Sequence, residues 1–173
     1  LGAVEGFTEF LPISSTGHLI LVGRLLGLHG AAVNTFHIVI QAGALGAIIV
    51  LYRARVASFW RGLQGRDPSG RRLLVNLLVS FLPAAVSGVL LRRPVTTYLF
   101  DEWPVIVALA AGGVLMIGLG RWFEGRRPFR SLETLTVADA LLIGCAQVLA
   151  LWPGTSRAMV TIVAGLLLGL SGQ

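Results

Sequence analysis

The chain has 173 residues, 55% of them apolar or aromatic, and only 13% are Asp, Glu, Lys or Arg, about half the usual quarter of a soluble domain. That composition excludes intrinsic disorder, which needs high charge and few apolar residues. It also leaves too little polar sequence to cover a soluble domain, so lipid is the expected solvent. The net charge of +6 arises from 14 basic residues, all arginine, against 8 acids. Because the arginines lie between apolar runs rather than on a soluble basic face, they point to membrane topology, and no nucleic-acid partner is expected. The single cysteine, Cys145, excludes an intrachain disulfide framework and a cysteine-based zinc site, and reads as a packing residue. Leu1 in first place, and an end just past an apolar run, predict a fragment of one integral membrane domain, lacking its N-terminal start and its C-terminal spans.

In chain order, residues 1–30 predict a first re-entrant hairpin, with apolar arms at 1–11 and 19–28 interrupted by Pro12-Ile13-Ser14-Ser15-Thr16-Gly17. Residues 31–123 predict three transmembrane spans, at 31–52, 73–91 and 103–120. The second and third are uncharged, and Trp103 opens the third, where an interfacial ring would sit. Residues 136–170 predict a second hairpin, with arms at 140–152 and 158–170 around Pro153-Gly154-Thr155-Ser156-Arg157. Arms of about 10 to 13 residues are too short to cross a bilayer. Thr136 with Asp139 three residues on resembles a capping box. One kinked helix per region is the alternative, because proline is tolerated inside membrane helices.

The loops give sidedness. Arginines number six in 53–72 (Arg53, Arg55, Arg61, Arg66, Arg71, Arg72), two in 92–102 (Arg92, Arg93) and four in 121–136 (Arg121, Arg126, Arg127, Arg130). The outer two loops are therefore cytoplasmic and the middle one external. The first hairpin then opens outside and the second inside, with tips meeting near the midplane. That is an inverted-topology repeat of broken helices around a central site. Pro12 and Ser15 recur as Pro153 and Ser156 at the same spacing.

The polar residues inside the apolar arms carry the candidate chemistry. Glu5 and Glu9, four apart, share one helix face. Two carboxylates in a low dielectric repel, and become reasonable if they share a proton or bind a divalent cation, Mg²⁺ or Ca²⁺. A solvated helix face outside the membrane is the alternative. Ser14, Ser15, Thr16 and His18 offer a nucleophile and a proton acceptor, or only a helix cap and a hydrogen-bonded histidine. Arg157 between apolar arms costs on the order of 2.5–3.5 kcal/mol and calls for an anionic partner, either Glu5 and Glu9 or a phosphate, unless it snorkels to the interface. A turn at Pro153-Gly154 would leave the N–H groups of Thr155, Ser156 and Arg157 at a helix start, where phosphate binds. Arg24 reads as snorkelling to the outer surface and His29 as a loop residue. Asn34, His37, Gln41 and Asn76 read as interhelical hydrogen-bonding residues. Together these groups suit phosphoryl transfer on an amphiphilic substrate.

The run from Val4 to His18, with Glu5, Glu9 and then Pro12-Ile13-Ser14-Ser15-Thr16-Gly17-His18, resembles the first signature of the undecaprenyl-diphosphate phosphatase family (BacA/UppP type). Ala150-Leu151-Trp152-Pro153-Gly154-Thr155-Ser156-Arg157 with Thr161 resembles its second. The resemblance covers nearly the whole chain. It implies an all-α polytopic protein of the bacterial inner membrane. It also implies hydrolysis of undecaprenyl diphosphate to the monophosphate, which recycles the lipid carrier for cell-wall synthesis. By the same resemblance, Glu5 and Glu9 bind the divalent metal or assist proton transfer. Ser15 is the nucleophile with His18 as its base or its rival. Arg157, Ser156 and Thr161 hold the diphosphate, with Ser14, Thr16, Gly17, Gly154 and Thr155 as further substrate-binding residues. The expected partners are the lipid substrate and the bilayer; a homodimer is left open. One stretch departs: Ala158-Met159-Val160 stands where the family has Ser-Gly-Ala. That removes a hydroxyl near the phosphate and sets a large side chain where backbones pack closely. A transporter or flippase of a phosphorylated polyprenyl lipid is the competing reading, since broken helices in inverted repeats also build transporters. A purely structural membrane subunit is the third.

Overall fold

The computed structural model describes residues 1–28, 30–99, 101–123 and 130–170, apart from the side chains of residues 31, 34, 38 and 123. His29, the Asn34 side chain and residues 124–129 of the last predicted loop lie outside the described residues. The described regular structure is helical: α1 (Gly2–Thr8), α2 (Ser15–Leu25), α3 (Ala31–Leu51), α4 (Arg53–Leu63), α5 (Pro68–Leu90), α6 (Arg92–Pro94), α7 (Glu102–Phe123), α8 (Val137–Gln147) and α9 (Arg157–Leu167). A π-helical turn, Val95–Leu99, follows α6, and a 3₁₀ turn, Val148–Leu151, continues α8.

Helices α5 and α7 are long and apolar enough to cross a membrane; α3 and α4 form a third span if taken as one bent element. The stretch 53–72, expected as a loop, contains a helix turned 79° from the span before it. Counting arginines identifies a side but is silent on conformation. Arg53, Arg55 and Arg61 share α4 with Val56, Phe59, Trp60 and Leu63, the composition of a helix lying in a membrane interface. Helix α5 starts before its apolar run because Pro68 is preset for a first helical position and the Asp67 carboxylate accepts from the Gly70 N–H at 2.9 Å. Glycines let α4 lie directly on this start: a Cβ on Gly70 would fall 2.3 Å from the Ser58 carbonyl oxygen.

Helix α8 packs against α5 in the same manner. A Cβ on Gly144 would lie 2.4 Å from the Ser80 carbonyl oxygen, which also accepts from Gln147 Nε2 at 3.4 Å. Lipid offers no hydrophobic drive between helices, so small residues and close backbone approach hold them together. The capping box read at Thr136 and Asp139 is present in full. Arg130 then ties the entry of this last segment to its exit. Its guanidinium donates to Asp139 Oδ2 at 2.6 Å and to the Leu168 carbonyl at 3.5 Å, and its backbone N–H to the Gly169 carbonyl at 3.0 Å. The entry to α8 and the exit of α9 therefore lie side by side.

Burial is inverted relative to a soluble domain. Phe7, Leu25, Val89 and Val114 are exposed, whereas Glu5, Ser14, Ser15, Asn76, Asp139 and Ser156 are buried beside Leu19, Val105, Ala140 and Met159. Cys145 is exposed rather than packed. With lipid outside, apolar surface has no reason to hide, and the interior gathers the polar groups that need partners.

Candidate active site

Helix α1 ends where Glu9 donates its N–H to the Glu5 carbonyl at 2.9 Å. The chain then turns through Pro12 to Ser14, whose φ of 64° is the one positive value at a described non-glycine residue. A β-carbon is disfavoured there and persists only when its surroundings fix it. They do so from three directions. Ser14 Oγ accepts from the Gly17 N–H at 3.4 Å, and its carbonyl accepts both the His18 N–H at 3.2 Å and His18 Nδ1–H at 2.8 Å. Helix α2 thus begins at Ser15, and Ser15, Thr16, Gly17 and His18 form its first turn rather than the break itself.

This start sets the chemistry of three side chains. A carbonyl only accepts, so Nδ1 of His18 carries a proton, and Nε2 is the ring nitrogen not engaged by that bond. The Ser15 hydroxyl donates to Glu9 Oε2, so its partner is the carboxylate and not His18. Glu5 is only 3% exposed, and neither of its carboxylate oxygens has a partner among the described residues. His37 Nε2 is likewise buried and unpartnered, close to Gly23 of α2.

The second break is built against α7. Trp152 Nε1 donates to the Pro104 carbonyl at 3.1 Å, and the Thr155 N–H turns back to the Trp152 carbonyl at 3.0 Å. Gly154 sits at φ 96°, and a Cβ there would lie 2.6 Å from the Val105 carbonyl oxygen; only glycine fits. Ser156 caps α9 by accepting from the Met159 N–H at 3.2 Å. The Thr155 N–H is consumed by the turn, so the helix-start donors left without an acceptor among the described residues are those of Ser156, Arg157 and Ala158. Arg157 itself is exposed and has no acidic partner among the described residues. Thr161 Oγ1, one turn on, donates to the Arg157 and Ala158 carbonyls, both at 3.0 Å.

The two breaks touch. A Cβ on Gly17 would lie 3.2 Å from the Gly154 Cα and from both δ-methyls of Leu109. The starts of α2 and α9 therefore meet on the first turns of α7. Met159 is accommodated: it is buried, with its sulfur against Gly112 of α7, where a Cβ would be 3.3 Å away.

The family described as bacitracin resistance protein BacA matches residues 1–173. The chain belongs to that family. It is 49% identical over 174 residues to the undecaprenyl-diphosphatase of Sorangium cellulosum (strain So ce56), covering 99% of this chain and 56% of that protein. Identity to the undecaprenyl-diphosphatase of Nitrosomonas europaea is 48% over 176 residues, covering 99% and 62%. For the Neisseria gonorrhoeae protein of the same name it is 43% over 175 residues, covering 98% and 62%. The chain thus spans about three fifths of the length of the curated relatives it matches.

Within this family member, sequence reading missed two things. One is the hydrogen bond from Ser15 to Glu9, which crosses a turn and follows no helical period. The other is α7 as the shared platform. Its signal was present: Ala108 and Gly112, four apart, give the small-residue stripe on which membrane helices pack.

Proposed function

We propose that this chain carries the phosphate-handling part of a membrane enzyme that hydrolyses undecaprenyl diphosphate to the monophosphate and inorganic phosphate. The contact of Gly17 with Gly154 is the observation that carries the reading. It unites two helix starts, one bearing Ser15, His18 and the Glu9 partner, the other bearing Arg157. The names of the relatives support the substrate. In the reaction, Glu9 takes the Ser15 proton as Ser15 Oγ attacks the terminal phosphorus. The bridging P–O bond breaks, and its electron pair leaves with the lipid monophosphate. Arg157 and the free N–H groups of α9 stabilise the equatorial oxygens. Water, giving its proton to His18 Nε2, then attacks the phosphoserine. Phosphate departs as Glu9 returns the proton to Ser15, and His18 Nε2 releases the proton taken from water to solvent or to the departing phosphate.

The carboxylates also fit a divalent cation. Both Glu5 oxygens are buried with no hydrogen-bond partner among the described residues, and Glu9 lies one turn on. No cluster of three or more His, Cys, Asp or Glu occurs among the described residues. A few-carboxylate site of this kind suits Mg²⁺, which keeps waters and binds substrate phosphates, better than Ca²⁺. When bound, such an ion would neutralise diphosphate charge.

In the same reading the two hairpins enter from opposite faces as an inverted repeat. The Arg130 tie at the base of α8 and α9 supports one hairpin. Ion pairing of Arg24, in the last turn of α2, with Asp101 and Glu102 supports the external exit of the other. Gly154 packs on Val105, three residues into α7, or about 5 Å along its axis. The pocket therefore lies in the outer part of the membrane rather than at the midplane. Phosphate release from a polyprenyl diphosphate by the full-length protein in detergent, with and without chelator, tests this function. Loss of release in Arg157→Ala is expected; unchanged release would sink the clamp. Saturable binding with no release would favour the flippase instead.

A further inference from the structure

The arginine-rich end of the molecule holds a second site, separate from both breaks. A cavity of about 340 Å³ lies between the end of α4, the start of α5 and the start of α8, lined by Gly62, Asp67, Arg71, Arg72, Asn76 and Val137. Asn76 is 2% exposed. Its Nδ2 donates to the Leu135 carbonyl at 2.9 Å, but its Oδ1 is buried with no partner among the described residues. A buried acceptor left so is costly and calls for a donor.

The charges around it are unequal. Asp67 is held by three neutral donors, Ser58 Oγ, Ser69 Oγ and the Gly70 N–H, at 2.6 to 2.9 Å. Arg71 and Arg72 pair with no described acid, which leaves the cavity net positive. Helix α4 packs backbone to backbone on α5 beside it, since a Cβ on Gly62 would lie 2.4 Å from the Arg71 nitrogen. Beside it, α4 exposes Trp60 and Leu63 in line with its arginines, the composition of a helix at headgroup depth.

We propose that this cavity binds the headgroup of an anionic phospholipid. The phosphodiester meets Arg71 and Arg72, and a headgroup hydroxyl donates to Asn76 Oδ1. Phosphatidylglycerol has both features. Phosphatidylcholine has no donor, and phosphatidylethanolamine would leave the positive charge uncompensated.

The test uses delipidated full-length protein, offered detergent micelles containing equal amounts of the three lipids, with retained lipid read by native mass spectrometry. Phosphatidylglycerol is expected to be retained at least about tenfold over phosphatidylcholine. The double variant R71Q/R72Q should lower that retention about thirtyfold, two arginine contacts' worth, with an unchanged thermal midpoint. R53Q/R55Q, on α4 outside the cavity, should keep retention within about twofold. Equal retention of the lipids by the unaltered protein overturns the proposal whether or not any variant folds. So do preference for phosphatidylethanolamine, no loss in R71Q/R72Q, and an equal loss in R53Q/R55Q. Inorganic phosphate bound in millimolar solution with no lipid retained would assign the cavity to the free anion and overturn the lipid.

Discussion

Replacing Gly17 with alanine should separate the two helix starts by a distance that follows from the structure. The added Cβ would lie 3.2 Å from the Gly154 Cα, whereas carbon atoms rest about 3.5–4.0 Å apart. Something must give by about 0.3–0.8 Å. The Leu109 methyls, equally close, can rotate. Gly154 cannot retreat, because it already sits against the Val105 carbonyl. Helix α2 must move instead, and Ser15 and His18 move with it. A displacement of 1 Å from productive geometry costs about a hundredfold in rate, so this shift predicts about a tenfold fall in kcat with little change in KM. Overpacking should also cost about 1–3 kcal/mol of stability. Phosphate release and thermal unfolding in detergent read the two effects. Gly113→Ala on α7, with nothing within 4 Å of its Cβ, is the control and should match the unaltered protein. A Gly17→Ala variant with undiminished kcat would refute the idea that this contact sets the geometry of the site.

Further outcomes follow from other contacts. Gly112→Ala should destabilise by about 1–2 kcal/mol through the Met159 sulfur, and adding Met159→Ala should recover part of that; simple additivity in a double-mutant cycle would remove the claimed contact. Arg130→Lys should lower the thermal midpoint because one ammonium cannot reproduce the forked bonds to both Asp139 oxygens; an unchanged midpoint would show that the hairpin needs no such tie. Asp67 is held at about 2, below its ordinary 3.8, first by the Ser58 hydroxyl and then by Gly70 and Ser69. The stabilisation from a depressed carboxylate is full above the unfolded value and fades as pH falls toward the folded one. Thermal midpoints should therefore drop between about pH 4 and pH 2, and Asp67→Asn should lower the neutral midpoint and flatten that drop. A phosphoenzyme trapped with a polyprenyl diphosphate should survive acid if Ser15 is the nucleophile; an acid-labile phosphoenzyme that persists in Ser15→Ala would transfer the role to His18 Nε2.

How much of this was legible depends on how local each cause is. The apolar runs of α5 and α7 and the cap formed by Thr136 and Asp139 are written in adjacent residues, and the structure has them. The helix within 53–72 was not legible, because arginine counting reports a side and the run is too polar to look like a span. The start of α2 was expected too late, at residue 19, because the hydroxyl run after Pro12 reads as part of the break, whereas the positive φ of Ser14 and the bonds that hold it start the helix at Ser15. Glu5 and Glu9 were expected to act as a pair on one face. Helical period gave that face, but not the turn that brings the Ser15 hydroxyl back to Glu9. The contact of Gly17 with Gly154 joins residues far apart in the chain, and no period or composition contains it.

The breaks in α-helix are a liability in lipid, and that is the physical reason for reading them as a site. Each helix start leaves N–H groups with no partner in its own helix, and hydrocarbon supplies none. At α2 the deficit is partly met by Ser14, and at α9 by Ser156. Among the described residues, the N–H groups of Ser156, Arg157 and Ala158 and the guanidinium of Arg157 remain. An intact pair of helices would have avoided this cost entirely. Two broken ones, brought into contact at Gly17 and Gly154 on a third, bring one start with a hydroxyl bonded to a carboxylate against the turn that leads to the other, which carries Arg157. A diphosphate is the kind of group that satisfies every one of those donors at once. The same argument predicts that filling either break with a continuous helix, by replacing Pro153-Gly154 with Ala-Ala, would abolish phosphate release. Such a variant should leave α5 and α8 packed, because their contact rests on Gly144 and Ser80 and not on the turn.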